Sequence, residues 1–160
     1  MRSREMLRMA GKVAAAILLP LFLAVDISAS YLFAFQTDSP ASLAKMKSMA
    51  EAQHEIVMLL IKKKEFDQAV TEANKIFDMN WPGNQEPLLL QEMLNLTRQF
   101  HQQGQALLGI NLIERNLKIF KKKSSQCALL KEQGYLHKSL NQNDRALQCF
   151  RKARDLEGAR

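Results

Sequence analysis

Chain breakers are scarce in this sequence. Six glycines and four prolines in 160 residues supply too few turns for a protein built of many short strands. Cysteine is scarcer still. Cys127 and Cys149 are the only two, and their spacing is not that of a metal site. Two free, half-buried thiols are expected, and they leave the redox compartment open. The single tryptophan, Trp81, stands in a turn-like stretch. Catalytic patterns are missing as well. There is no nucleophile elbow, no phosphate-cradling glycine loop and no paired-carboxylate arrangement. Of the three histidines, His54, His101 and His137, the first opens a His-Glu pair like that of a zinc protease. The second ligand of that motif is absent, because Met58 stands in its place. Asn95-Leu96-Thr97 matches a glycosylation acceptor, but it falls within a predicted helix and reads as chance. These absences point away from an enzyme, and no metal or cofactor is expected.

What is present suits a helical globular domain. Hydrophobic residues make up 47% and charged residues 24%, enough to build one core at this length. The formal net charge is +7. Lysines gather at Lys62-Lys63-Lys64 and at Lys118 with Lys121-Lys122-Lys123. Both groups fall at ends of predicted helices, where cations complement the C-terminal dipole. The alternative is contact with acidic partners, anionic lipid or nucleic acid.

The N-terminus has its own pattern. Residues 1–12 form a basic head, with Arg2, Arg4, Arg8 and Lys12 against Glu5 alone. Val13 to Val25 follows without a polar side chain, 25−13+1 = 13 residues. A basic head before an apolar run of this length is the pattern of an export signal, and Ser28-Ala29-Ser30 offers a cleavage site. An uncleaved anchor is the other reading. The apolar character resumes at Tyr31-Leu32-Phe33-Ala34-Phe35, so residues 13–35 span 35−13+1 = 23 positions. That length crosses a hydrocarbon core about 30 Å thick. Asp26 inside the span would cost roughly 2.5–3.5 kcal/mol at its centre. Either way the basic head stays in the cytoplasm and the remainder lies outside it, in a bacterial periplasm or secreted.

Residues 36–44 read as a linker, and from about Pro40 the apolar spacing is helical throughout. The sequence predicts three antiparallel pairs of helices over about 45–80, 86–121 and 124–157, within a domain of residues 45–160. Asn80-Trp81-Pro82-Gly83-Asn84 separates the first two pairs, and Pro87 suits the first turn of a helix. Gly104 suits a left-handed stop, and Ser124 or Ser125 could cap the fifth helix. Small residues recur in register at Ala69, Gly109 and Ala146, with intervals of 109−69 = 40 and 146−109 = 37. At these points the second helix of each pair can approach the first closely.

In the last pair Gly134, Ala146, Phe150 and Ala153 stand in the order Gly, Ala, aromatic, Ala. This resembles the tetratricopeptide repeat, with Leu130 in place of its usual tryptophan. The first pair keeps Ala69, with Ala73 at the aromatic position. The middle pair diverges most: Gly109 replaces the alanine, Ile113 the aromatic and Thr97 the first-helix glycine. Both intervals exceed the usual repeat of about 34 residues. The resemblance covers residues from about 45 to 157 and implies an all-α, right-handed solenoid preceded by a hydrophobic N-terminal helix.

The resemblance also implies a site. First helices of such pairs line a concave groove for an extended peptide or a partner helix. Carried over by position, the groove takes His54, Met58 and Lys62 from the first pair. The middle pair adds Leu94, Arg98 and His101, and the last adds Lys131, Tyr135 and Lys138. Such a groove would be basic and suited to an acidic peptide or helix. The carboxylate clamp of chaperone-binding relatives needs Lys and Asn where His54 and Met58 stand, so that ligand is not expected. The chain stops soon after its sixth helix, which leaves the last pair open to a partner or a second copy.

The expected function is a non-enzymatic scaffold of the cell envelope, attached to the membrane through residues 13–35. Two rivals remain. One is an accessory subunit of a membrane enzyme docked through the anchor, with Asp26 seeking a partner there. The other is an anionic-surface or nucleic-acid binder. Nucleic acid is not expected, because an export signal leads away from it and aromatics for base stacking are few.

Overall fold

A computed structural model describes residues 39–158. The head, apolar run and most of the linker read from the sequence lie outside the described residues. The chain divides into two units, residues 1–43 and 44–160, and only residues 39–43 of the first are described. Among the described residues there are six α-helices and no strand. They are α1 (Pro40–Lys63), α2 (Phe66–Phe77), α3 (Glu86–Gln102), α4 (Ala106–Asn116), α5 (Lys123–Ser139) and α6 (Asn143–Gly158). None is long and apolar enough to cross a membrane.

Helix α1 starts at Pro40, where the helical apolar spacing begins, and a local contact holds that start. The Ser42 N–H donates to Ser39 Oγ at 3.1 Å, and Pro40 at the first helical position has no N–H to satisfy. Three turns then join the helices in pairs, and all three are built alike. Lys64, Gly104 and Asn141 have φ of 64°, 73° and 59°, the left-handed region. The N–H after each one reaches back five residues: Glu65 to the Leu60 carbonyl at 2.9 Å, Gln105 to Phe100 at 2.8 Å and Gln142 to His137 at 2.9 Å. That bond closes the end of the first helix of each pair. The three turn residues are separated by 104−64 = 40 and 141−104 = 37 positions, the same steps as the small residues.

Twelve residues before each small residue stand Val57, Thr97 and Gly134, and all six positions are buried. The contacts there show what close approach requires. A Cβ on Gly109 would lie 3.2 Å from Leu136 Cδ1 and 3.4 Å from the Thr97 carbonyl oxygen. One on Gly134 would lie 2.8 Å from both Cε1 and Cζ of Phe150. The main core runs through all three pairs, from Val57 and Ile61 through Met93, Leu96 and Phe100 to Leu129 and Leu136.

Two polar joints tie the pairs together. Asn116 Nδ2 donates to Asn74 Oδ1 at 2.9 Å, linking α2 to α4 in a buried setting. Glu86, in the first turn of α3, is only 6% exposed. Its carboxylate accepts from the Lys121 N–H at 3.1 Å and the Lys122 N–H at 3.0 Å. Burial pushes this carboxyl up, but the Ser125 hydroxyl, these two N–H groups and the Lys122 charge outweigh it and hold it below 4.5.

Two features differ from the sequence reading. Helix α4 ends at Asn116, not near Lys121, and a 3-10 turn covers Leu117–Ile119. Asn116 Nδ2 folds back onto the Leu112 carbonyl at 2.9 Å, and Phe120 turns extended and is fully buried. Seating that ring is what bends the chain off the helical path. The second difference is the start of α5. Ser124 and Ser125 lie inside its first turn and neither is its cap; Lys122 is, without a side-chain cap bond. The Glu86 carboxylate, from another helix, serves that end.

Candidate partner-binding groove

The first helix of the first pair is twice as long as its partner. Its 24 residues extend about 36 Å, against about 18 Å for the 12 of α2. The N-terminal half of α1 therefore outruns α2. After α2 ends the chain folds back, and Trp81 packs against the core beside that overhang. The indole Nε1–H donates to the Ile76 carbonyl at 2.7 Å, which fixes the ring. Helix α3 supplies the other wall. Between them lies a cleft of about 650 Å³.

Ala50, Ile76, Trp81, Leu88 and Leu89 give the cleft its apolar surface. Leu88 is 41% exposed, high for a leucine beside a core. Around that surface stand Lys47, Glu51, Glu55, His54, Glu92 and Asn95. His54 Nδ1 meets Glu92 Oε1 at 2.7 Å across the two helices. Glu51 and Glu55 are exposed, and neither has a salt-bridge partner among the described residues. Among the described residues no hydroxyl or thiol is hydrogen-bonded to His54. Among the described residues no cluster of three or more His, Cys, Asp or Glu side chains is placed to hold a metal ion.

Of the nine groove positions taken from the sequence, only His54 lines this cleft. Met58 and Leu94 are half-buried and pack against the main core, so their side chains point inward. Lys62, Arg98, His101 and Lys138 are exposed. The position matching His101 and Lys138 in the first pair is Ile61, which is buried; Lys62 lies one residue beyond it. Lys131 lines a separate depression with Cys127 and Glu157. Its Nζ lies 2.6 Å from Glu157 Oε1, and that carboxylate holds the ammonium above its ordinary range. Tyr135 is 59% exposed and meets Phe150 edge-on, ring centres 5.2 Å apart. His54 and Lys131 thus line two different depressions.

The positions assigned to close packing all lie inside. Ala69, Ala73, Ile113 and Ala153 are fully buried, and Gly109, Gly134 and Ala146 are buried with them. Phe150 is half-buried over Gly134. Both thiols are free and buried, and burial pushes each of them up.

Three carboxylates, Glu51, Glu55 and Glu92, face one lysine, Lys47, so the concavity is acidic. Sequence reasoning missed Trp81, Leu88 and Glu92. Leu88, Glu92 and Asn95 form an i, i+4, i+7 row on α3, and Glu51 and Glu55 are one turn apart on α1. Those rows were visible in the sequence, but which helix faces which was not. No protein-family model, no curated protein and no solved structure matches the chain.

Proposed function

We propose that this protein is a non-enzymatic interaction module, in which tetratricopeptide-like helix pairs hold a segment of a partner protein in the α1–α3 cleft. The observation that carries this reading is the cleft itself: an apolar, partly exposed surface set between the first helices of adjacent pairs. Repeats of this kind bury a continuous core and offer one face of successive helices to a partner. Three like turns at intervals of 40 and 37, and the close seat of Phe150 on Gly134, support a repeat architecture. The basic head and apolar run of residues 1–35 support a module attached to a membrane or exported across it, as part of an envelope assembly.

The test is affinity capture of the intact protein from solubilised membranes, followed by mass spectrometry of bait and prey. It is run beside Leu88→Lys, which changes an exposed side chain of the cleft and leaves the core untouched. A prey set captured by the wild type and lost with Leu88→Lys supports the module. The same prey set with both proteins would sink the cleft as the docking site. Bait that retains residues 1–30 supports the anchor, and bait beginning at Tyr31 supports export after cleavage.

A further inference from the structure

The protein as a whole is basic, at +7, yet the cleft between α1 and α3 is acidic. Glu51 and Glu55 sit at i and i+4 on α1, so both carboxylates stand on one face at about 6 Å spacing. Neither has a cation within salt-bridge reach among the described residues. Lys47 is four residues before Glu51, but lysine N-terminal to glutamate is the weaker order for a helical pair. Glu92 is engaged by His54 at 2.7 Å, and that contact bridges α1 to α3 beside the cleft. Trp81 and Leu88 line the same cleft. The indole N–H is already bonded to Ile76, so Trp81 offers only apolar ring surface.

We propose that the cleft selects a basic amphipathic helix of a partner protein. It presents one apolar side chain to Trp81 and Leu88, and Lys or Arg at i and i+4 to Glu51 and Glu55. This rests on the interaction-module reading and adds the chemistry of the partner. The geometry matches on two counts. A helix lying along α1 repeats its surface positions every turn, so cations four residues apart meet carboxylates four residues apart. The stretch from Lys47 to Glu55 runs about 12 Å, a little over two turns, long enough for one apolar anchor between two cations. Mutual repulsion of Glu51 and Glu55 is relieved when the cations arrive, and a like-charged segment would add to it.

Trp81 is the only tryptophan and lines the cleft, so its fluorescence reports occupancy. The experiment uses the full 160-residue chain in a nanodisc of zwitterionic lipid, titrated with two tryptophan-free helical peptides of 14 residues. One has a leucine face flanked by lysines, and the other has glutamate at every lysine position. The leucine–lysine peptide is expected to shift Trp81 emission saturably. Its affinity should fall about tenfold in the Glu51→Gln/Glu55→Gln variant and also at high salt. Both glutamates are exposed, so the variant keeps its fold, and circular dichroism checks that it does. The leucine–glutamate peptide should leave the emission unchanged. If the acidic peptide binds as well or better, the cleft docks a partner of the other charge; the inference falls while the module reading stands. If neither peptide moves Trp81 but Leu88→Lys still loses the captured prey, the partner lacks a cationic face and the inference again falls alone. If neither peptide moves Trp81 and Leu88→Lys captures the wild-type prey, both readings fall.

Discussion

Gly134 and Gly109 stand in second-and-first-helix contacts of adjacent design, yet an added methyl should act oppositely at the two. Replacing a helical glycine by alanine gains about 1 kcal/mol of helix propensity at either site. At Gly134 the new Cβ would lie 2.8 Å from two ring carbons of Phe150. Carbon atoms pack best at about 3.5–4.0 Å, so the ring must move by roughly 1 Å. That movement would also disturb the edge contact of the ring with Tyr135. Overpacking of this kind costs about 1–3 kcal/mol, leaving Gly134→Ala destabilised by up to about 2 kcal/mol. At Gly109 the nearest atom is Leu136 Cδ1 at 3.2 Å, the end of a leucine side chain in the core, a smaller overlap than at Gly134. A few tenths of an ångström suffice there, so Gly109→Ala should be neutral or more stable by up to about 1 kcal/mol. Urea unfolding followed by far-ultraviolet circular dichroism measures both. Adding Phe150→Leu to Gly134→Ala removes the ring that blocks the methyl, and the cycle should show a coupling of about 1 kcal/mol or more. Gly134→Ala as stable as the wild type, with an additive double variant, would refute the contact as drawn.

Two further outcomes concern the joints between pairs. Glu86→Gln replaces a buried acceptor of charge-assisted bonds by an amide, and it should cost about 1.5–3 kcal/mol at neutral pH by urea titration. The folded pKa of Glu86 is depressed below 4.5, so its stabilisation is present above 4.5 and is lost as pH falls through the lower, folded value. The wild type should therefore lose stability more steeply than Glu86→Gln in that acid window, and parallel curves would overturn the assignment. At the other joint, Asn116→Ala leaves Asn74 Oδ1 without its donor and should cost about 1–3 kcal/mol. In chemical unfolding, Asn74→Ala/Asn116→Ala should cost less than the sum of its two single variants; strict additivity would count against a shared bond.

Local patterns in the sequence carried the helices and their pairing. Pro87, Gly104 and the step of small residues each constrain the backbone within a few residues, and the structure has a helix start, a left-handed stop and a buried contact there. Lys64 is left-handed too, but lysine carries no such signal, because the turn is imposed by the helices on both sides. The early end of α4 was hidden for a similar reason. Leu117, Ile119 and Phe120 keep a helix-like apolar spacing, and only the core decides that Phe120 enters extended. The groove was the least legible part. Position within a repeat gives a place on a helix, but Met58 and Leu94 turn into the core. The cleft forms where α1 meets α3, and the His54–Glu92 contact across it joins residues 38 positions apart, which no short pattern announces. The end of α5 is served by Glu86 from about 36 residues away, which is why a nearby serine looked like the cap.

The two joints do not repeat, although the turns do. Asn74 meets Asn116 between the first and middle pairs, and Glu86 meets the Lys121 and Lys122 amides between the middle and last. Each pair thus ends in a connector cut for one neighbour only. Swapping two pairs, duplicating the middle one or splicing it out would leave every turn intact. It would still set a buried amide or carboxylate against a surface with nothing to offer it. The order of the pairs is therefore written into the molecule, and adding a further pair would require new connectors as well.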